Sequence, residues 1–539
     1  MMNNEKRLFL AIGLSVLVIL GYQAYMKKHV KPYHAQNIND TVLQPEQEKI
    51  ASSTIEIEKV IDRPVAVKAA TDKTTTLEND VFTAVFTDDG AAIKELYLMQ
   101  YIDAAGAPTR LSGPIEQAPY LLSIQNSKEQ KRQWGVVSKD SKHIKYKSTL
   151  GGVEVIKVFN FYKTKHIIGL ELMFRNTTKK RMTMSYALNG GTAEANNGYL
   201  DSRYIGADIL ADGKVLRKRP SGKTITDGIT VTGSPVWVSA HDRYFSFVLK
   251  PDQQEEGAIV KSSSKKNIWS SIVSMPVTLE PGQVATRSYV QYAGPSDIDA
   301  ISELGASANN VISYGFFHPV AKVLFKALRM FHRITGNYGL SIILLSLTIS
   351  LIMMPLTRKS LHSMKAMQAI QPETEQIRKA YSDNPQKMNK EIMGLYKKNK
   401  INPVGGCLPM LLQLPIFMSL YQVLLRSVAL RGAHFLWIKD LAGPDAAFTL
   451  PQKLPIIGSH INILPILMAI AMWAQQKISQ GGGKEVSEQQ KMMATIMPVM
   501  FGFIFYNMPS GLVLYWFTNT LFMLLIQEVV LKARKPITS

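Results

Sequence analysis

The chain has 539 residues, a formal net charge of +21, 46% hydrophobic residues and a single cysteine, Cys407. That length exceeds one ordinary domain, and one cysteine excludes both an intramolecular disulfide and a cysteine metal site. A basic chain with long apolar runs points to anionic phospholipid or RNA-rich partners such as ribosomes, or simply to basic cytoplasmic loops.

Residues 8–25 form the first apolar segment, behind Lys6 and Arg7. No small-x-small site follows it, so an uncleaved anchor over 1–26 is expected. Lys27, Lys28 and Lys31 outnumber the basic residues before the segment, which by itself favours an external N-terminus. Residues 27–76 are polar without periodicity and read as a flexible linker.

Short alternating or β-branched runs recur at 81–87, 120–125, 153–161, 167–174, 236–238, 244–249 and 287–292. Turn signals at Asp88-Asp89-Gly90 and Asn189-Gly190-Gly191 separate them. The pattern predicts an antiparallel β-sandwich domain over 77–317. It holds no HExxH, GxSxG or phosphate loop. His241-Asp242-Arg243 is the only cluster with the residue types of a catalytic set, and near a strand start it reads as structural before catalytic.

Residues 318–336 are amphipathic: Val320, Val323, Leu324 and Phe331 stand against Lys322, Lys326, Arg329 and Arg333. Such a helix lies in the headgroup plane or packs on the β-domain.

Residues 337–531 read as a helical membrane core with spans at about 339–356, 408–425, 461–475, 492–507 and 512–530. The first carries Ser341, Ser346, Thr348 and Ser350; at about 100° per residue Ser346 and Ser350 share a face. These hydroxyls either bond to backbone or a neighbouring helix, or line a wet cavity. Residues 358–400 are densely basic and break at Asp383-Asn384-Pro385, with Asn384 as N-cap and Pro385 at the first helical position. A cytoplasmic helical hairpin is expected there. Gln413 lies in the next span. Thr495, Gly502 and Tyr506 share one face of the fourth, and Tyr515, Thr518 and Asn519 one face of the last. Trp437 stands at an expected interface, Gly481-Gly482-Gly483 is a linker, Met508-Pro509-Ser510-Gly511 a tight turn, and 532–539 a basic tail. With the hairpin inside, six spans place both termini in the cytoplasm and the β-domain outside, which outvotes Lys27 and Lys28.

Ordered motifs run through this core: Gly336-Asn337-Tyr338-Gly339, Pro355-Leu356-Thr357, Leu395-Tyr396-Lys397, Asn402-Pro403-Val404-Gly405-Gly406-Cys407-Leu408-Pro409, Gln413-Leu414-Pro415-Ile416-Phe417, Leu436-Trp437-Ile438-Lys439-Asp440-Leu441, Met497-Pro498 and Pro509-Ser510-Gly511-Leu512-Val513-Leu514-Tyr515. Over about 320–531 the chain resembles the YidC/Oxa/Alb insertase family, and the β-domain and first span resemble its Gram-negative members in arrangement. The resemblance implies a bacterial inner-membrane protein, a monomer or weak dimer, that inserts and folds nascent inner-membrane proteins, alone or with the Sec translocon. It implies a hydrophilic groove open to the cytoplasm and lipid. It further implies a periplasmic β-supersandwich shaped like sugar-binding mutarotases, with no enzymatic activity carried over. The family's groove arginine falls on Ser350, a groove hydroxyl on Ser346, and a client-contacting aromatic on Trp516 beside Tyr515.

A groove lined by Ser346, Ser350, Gln413, Thr495, Tyr506, Tyr515, Trp516, Thr518 and Asn519 is therefore expected, working without nucleotide or other cofactor. Contacts with clients, ribosome and signal recognition components are expected at Met364, Met367, Arg378, Lys379, Met388, Met393, Lys397 and Lys398, although the methionines equally suit packing of the hairpin itself. A structural assembly factor for membrane complexes is the alternative. A channel or transporter would pair charges in mid-membrane, and an intramembrane enzyme would need paired carboxylates, HExxH or a Ser/His set. The β-domain, lacking recognisable chemistry, is expected to be largely dispensable for insertion.

Overall fold

The computed structural model describes residues 73–532 except 104–105, 116, 126–133, 164, 196–202, 221–227, 403–407, 455–457 and 480–487. The expected anchor 1–26, all but the end of the linker 27–76, Cys407 with the residues just before it, the triple-glycine linker and the tail beyond 532 lie outside the described residues.

Alternation in the first half produces antiparallel sheets. The strand Val153–Phe161 shows it most simply: every second side chain is buried. It sits in a nine-stranded sheet whose spatial order is Lys214–Lys218, Gly206–Ala211, Pro235–His241, Phe245–Pro251, Val284–Pro295, Ile167–Asn176, Val153–Phe161, His143–Leu150 and Gly135–Lys139. A five-stranded sheet orders Ile229–Thr232, Gly257–Lys261, Asn267–Val273, Ala187–Glu194 and Ile124–Gln125. Its two central strands lie against Gly206–Ala211, Pro235–His241 and Phe245–Pro251, which makes the sandwich. A four-stranded sheet, Thr74–Glu78, Phe82–Thr87, Ala92–Ile102 and Pro108–Ser112, adds Phe86 to a core that includes Phe159, Phe174, Tyr186, Val238, Leu249 and Tyr289. Each such side chain contributes about 1.5–3 kcal/mol by leaving water.

Two local expectations fail, each for a physical reason. Asn189-Gly190-Gly191 is not a turn but lies within the strand Ala187–Glu194, at a bulge. A Cβ on Gly190 would stand 3.0 Å from Leu249 and 3.1 Å from Val238. On Gly191, where φ is +122°, it would stand 2.5 Å from Phe247. The glycines serve close approach of two sheets. Gly191→Ala is expected to destabilise the domain by about 3 kcal/mol through overpacking and left-handed strain. Thermal unfolding of the purified chain checks this, and an unchanged midpoint would contradict it.

The run 120–125 also does not form one strand; Ile124–Gln125 pairs as a two-residue strand, and Leu121 makes an isolated antiparallel bridge to Ile93. The chain turns at Leu122, φ +60°, to present its carbonyl to a buried lysine. Lys157 Nζ donates to the carbonyls of Gly90, Ala91 and Leu122 at 2.8, 3.1 and 2.9 Å, and lies 5.3 Å from the Trp134 ring centre. Three strand connections are thereby tied to one side chain. Burial pushes its amine down to about 7. An unfolded lysine titrates near ~10.4, so between about pH 7 and 10 the unfolded chain binds more protons. Stability contributed by this site therefore rises with pH across that window. The melting-temperature difference between wild type and Lys157→Met is expected to widen from pH 7 to 9.5. A constant difference would contradict the assignment.

Among the described residues, a short helical turn at Ile298–Ile301 is followed by eight longer helices. Helix α1 is His318–Thr335, α2 Tyr338–Ala369, α3 Gln371–Ala380, α4 Pro385–Lys398, α5 Leu408–Arg426, α6 Ile463–Ser479, α7 Glu488–Phe505 and α8 Ser510–Lys532. A small antiparallel hairpin, Phe448–Leu454 with Gly458–Ile461, precedes α6. Gly336, φ +64°, ends α1 in the left-handed region, and the Asn337 side chain caps α2 by accepting from Leu340 N. Helix α1 buries Ala321, Leu324, Phe325 and Leu328 while Val320, Val323, Met330 and Ile334 remain exposed. It packs on α2 and α5 rather than only on the β-domain. The expected apolar face is thus two stripes, one inward and one outward, beside a basic stripe.

The first arm of the expected hairpin is not a separate helix from 358. Helix α2 passes through Pro355 and ends only at Ala369. The turn itself agrees with expectation: Asn384 Oδ1 accepts from Lys387 N at 3.1 Å, with Pro385 opening α4. Among the described residues, α2 and residues 510–528 of α8 are long and apolar enough to cross a bilayer, and 463–478 and 495–505 are shorter apolar helices. The helical core gathers Ile342, Leu345, Leu420, Val423, Met468, Leu512 and Val513. Gly502 lets α7 approach α6, where its Cβ would meet that of Ala469 at 3.1 Å.

Candidate functional site

Helices α2, α5 and α8 bring five of the expected groove residues into one hydrogen-bonded network. Ser346 is fully buried and its Oγ donates to the Tyr515 carbonyl at 3.3 Å. One turn on, Ser350 Oγ stands 2.8 Å from the Ser346 carbonyl and 2.9 Å from Asn519 Oδ1. One serine proton faces two acceptors there. From α5, Gln413 Nε2 donates to the Tyr515 hydroxyl at 2.6 Å. The phenol keeps its own proton for a further acceptor. The hydroxyls of Ser346 and Ser350 thus bond to backbone and to a polar side chain of a neighbouring helix, which is the first of the two readings. Ser341 and Thr348 bond back to Asn337 and Leu344.

No ionisable carboxylate or base is among these five residues. The network is neutral, rich in acceptors, and made of groups that exchange partners without transferring charge. Thr518, also buried, lies one residue before Asn519. Trp516 takes the other side of α8 and packs edge-on to Phe417, ring centres 4.9 Å apart, with Phe501 and Phe505 at 5.6 and 5.4 Å. This aromatic cluster joins α5, α7 and α8; the sequence singled out Trp516, and Phe417 only as part of a motif, and gave no sign of Phe501 and Phe505 beside them.

Two expected lining residues sit elsewhere. Thr495 is exposed on α7. Tyr506 falls just past the end of α7, so it does not share a helix face with Thr495. Its hydroxyl donates to the His460 carbonyl at 3.1 Å, and its own carbonyl accepts from Asn462 Nδ2 at 2.7 Å. It fastens the small hairpin before α6. On α3 and α4, Arg378, Lys379, Lys397 and Lys398 are exposed, as is Met393, whereas Met388 of α4 and Met364 and Met367 near the end of α2 are half-buried. Exposed methionine among cations suits adaptable apolar contact.

Residues 330–536 match the family model described as 60Kd inner membrane protein, and residues 74–327 match the YidC periplasmic domain. A membrane protein insertase YidC of Geobacter metallireducens is 30% identical, over 98% of this chain and 98% of its own. That of Geobacter sulfurreducens is 31% identical over 98% of each. A crystal structure of an active YidC insertase with its first transmembrane domain resolved is 18% identical, covers 88% of this chain and 96% of its own, and superposes with a TM-score of 0.38. With both halves matched in order and relatives aligned end to end, the chain belongs to the YidC family of membrane protein insertases, inner-membrane proteins with a periplasmic domain and not a family of enzymes.

Proposed function

We propose that this chain inserts and folds inner-membrane proteins through a neutral polar groove built from Ser346, Ser350, Gln413, Tyr515, Thr518 and Asn519. The observation that carries this reading is the hydrogen-bonded network across α2, α5 and α8. A polar client segment crossing hydrocarbon leaves backbone groups unpaired at several kcal/mol each. The groove offers partners for part of that path, and the client's apolar segment then leaves sideways into lipid. The short apolar lengths of α6 and α7 support local thinning of the bilayer, at fractions of a kcal/mol per Å of mismatch. The free energy comes from that partitioning and from the membrane potential, without nucleotide hydrolysis.

In this reading six spans, counting the N-terminal anchor, leave both termini and the α3–α4 hairpin in the cytoplasm and the β-domain in the periplasm. The domain division is that of the sequence: anchor 1–26, linker 27–76, β-domain 77–317, interfacial helix 318–336, core 337–531 and tail 532–539. The exposed apolar stripe of α1 beside Lys322, Lys326 and Arg333 supports contact with anionic phospholipid. The exposed cations of α3 and α4 support contact with the ribosome, signal recognition components and clients, and the Sec translocon is a further partner. The test is insertion of a single-span client by purified protein in liposomes, with Ser346 and Tyr515 both replaced by Leu. Unchanged insertion at equal protein level would overturn the groove.

A further inference from the structure

Between α5 and the small hairpin at 448–461 the chain makes a loop tied to the starts of two spans. The Asp440 carboxylate closes this loop, Oδ1 accepting from the amides of Gly432 and Ala442 at 3.0 and 2.9 Å. The start of α8 is bonded to it: Ser510 N donates to the Gly443 carbonyl at 2.6 Å, and Ser510 Oγ and Gly511 N donate to the Asp440 and Leu441 carbonyls, both at 2.9 Å. The start of α2 meets its other side. There Asn337 Nδ2 donates to the His434 carbonyl at 3.3 Å, and the Phe435 ring fills the space that a Cβ on Gly339 would need. Helices α2 and α8 hold the two spans that, among the described residues, are long and apolar enough to cross a bilayer. A loop bonded to the first turn of both therefore stands at one bilayer surface.

The tip of this loop runs against local preference. Phe435 and Ile438 exchange both backbone hydrogen bonds at 2.9 Å, so Leu436 and Trp437 alone form the corner. Leu436 has φ +52°. Corners of this size take φ > 0 at their first residue, which glycine or asparagine ordinarily supplies. A leucine there is strained, and such outliers cluster at functional loops. The fold gives its side chain little in return: Leu436 is 76% exposed, and Trp437 beside it 39%. Ile438 turns inward and is buried. Leu340, in the first turn of α2, is exposed as well, and exposed His434 and Lys439 flank the tip. Leucine and tryptophan projecting from a fixed turn, with a lysine alongside, match the boundary between acyl chains and headgroups. Tryptophan sits there by preference, and lysine reaches from it to the phosphates.

We propose that Leu436 and Trp437 form a wedge that enters the lipid leaflet at which α2 and α8 begin, the periplasmic one in the topology given above. The occupant of this apolar tip is phospholipid, because the spans bonded to the loop define the bilayer surface beside it. With the loop tied to both helices, the depth of the tip is the depth at which α2 and α8 enter the membrane. The wedge is independent of how clients cross the groove.

The test reconstitutes the full chain in liposomes of phosphatidylglycerol and phosphatidylcholine, the latter brominated either near the glycerol end or near the tail end of its acyl chains. Trp437 emission is the difference between wild type and Trp437→Phe. Bromine near the glycerol end is expected to quench that difference about twofold, and bromine near the tail end less. Leu436→Asn is expected to hold or raise the unfolding temperature in detergent, because asparagine tolerates that φ, while roughly halving the quenching as the tip loses its apolar partner. No quenching by either lipid, or stronger quenching from the tail end, would overturn the wedge. Quenching that vanishes at high protein-to-lipid ratio would give the tip to a second copy of the chain and overturn it too. A lower unfolding temperature with Leu436→Asn would do the same, since the leucine would then serve packing. Should Trp437→Phe not accumulate, Trp437→Tyr supplies the same difference.

Discussion

Replacing Ser346 and Tyr515 together with Leu is expected to reduce insertion of a short-tailed single-span client at least tenfold. Tyr515 is wholly buried, and its hydroxyl is the acceptor of Gln413 Nε2 at 2.6 Å. Leu there leaves the half-buried amide of Gln413 without its partner, at a cost of up to about 1–3 kcal/mol. Leu at 346 removes the donor that reaches α8. The combined change converts the join of α2, α5 and α8 from polar to apolar, so a polar client segment finds no partner along it. Tyr515→Phe, which keeps the ring and removes only the hydroxyl, is expected to cost about threefold. Protease protection, normalised to reconstituted protein, is the measurement. Wild-type insertion by the double variant would show that the client travels elsewhere.

The second large effect concerns charge. Ser350 occupies the groove position where the resemblance places an arginine, and here it pairs with Asn519 at 2.9 Å. A neutral site gives no Coulomb attraction to a carboxylate, whereas a cation at about 4 Å gives roughly 4 kcal/mol at an effective dielectric of 20, before its own desolvation is subtracted. Ser350→Arg is therefore expected to raise insertion of a client with an acidic translocated tail about tenfold. A matched client with Asn and Gln in place of Asp and Glu is expected to gain nothing, because its tail exchanges hydrogen bonds only. Equal effects on the two clients would contradict a charge-based account of position 350.

Much of this was legible in the sequence because local chemistry agreed with global placement. Alternation in 153–161 matched its strand, Asn384-Pro385 opened α4, and the polar residues of α2, α5 and α8 converge because each lies on the inward face of an apolar helix. The failures came from long-range approach. Gly190 and Gly191 look like turn residues, but their lack of a Cβ serves Val238, Leu249 and Phe247 of the opposing sheet. The irregular stretch at 120–125 follows from Lys157, more than thirty residues away in the chain. Tyr506 has the right spacing for the α7 face, but the helix ends one residue earlier. Arg243 was visible as part of a suggestive triplet, yet its partners are main-chain carbonyls at 425 and 442, which carry no side-chain signature.

The most direct test of the central claim uses liposomes that contain this protein alone, with a neutral-tailed single-span client made by in vitro translation. Insertion by the groove predicts protease protection of the translocated end well above that of empty liposomes, without nucleotide and without Sec components. Protection no greater than in empty liposomes, with the protein correctly reconstituted, would contradict autonomous insertion and favour an assembly role beside another translocon.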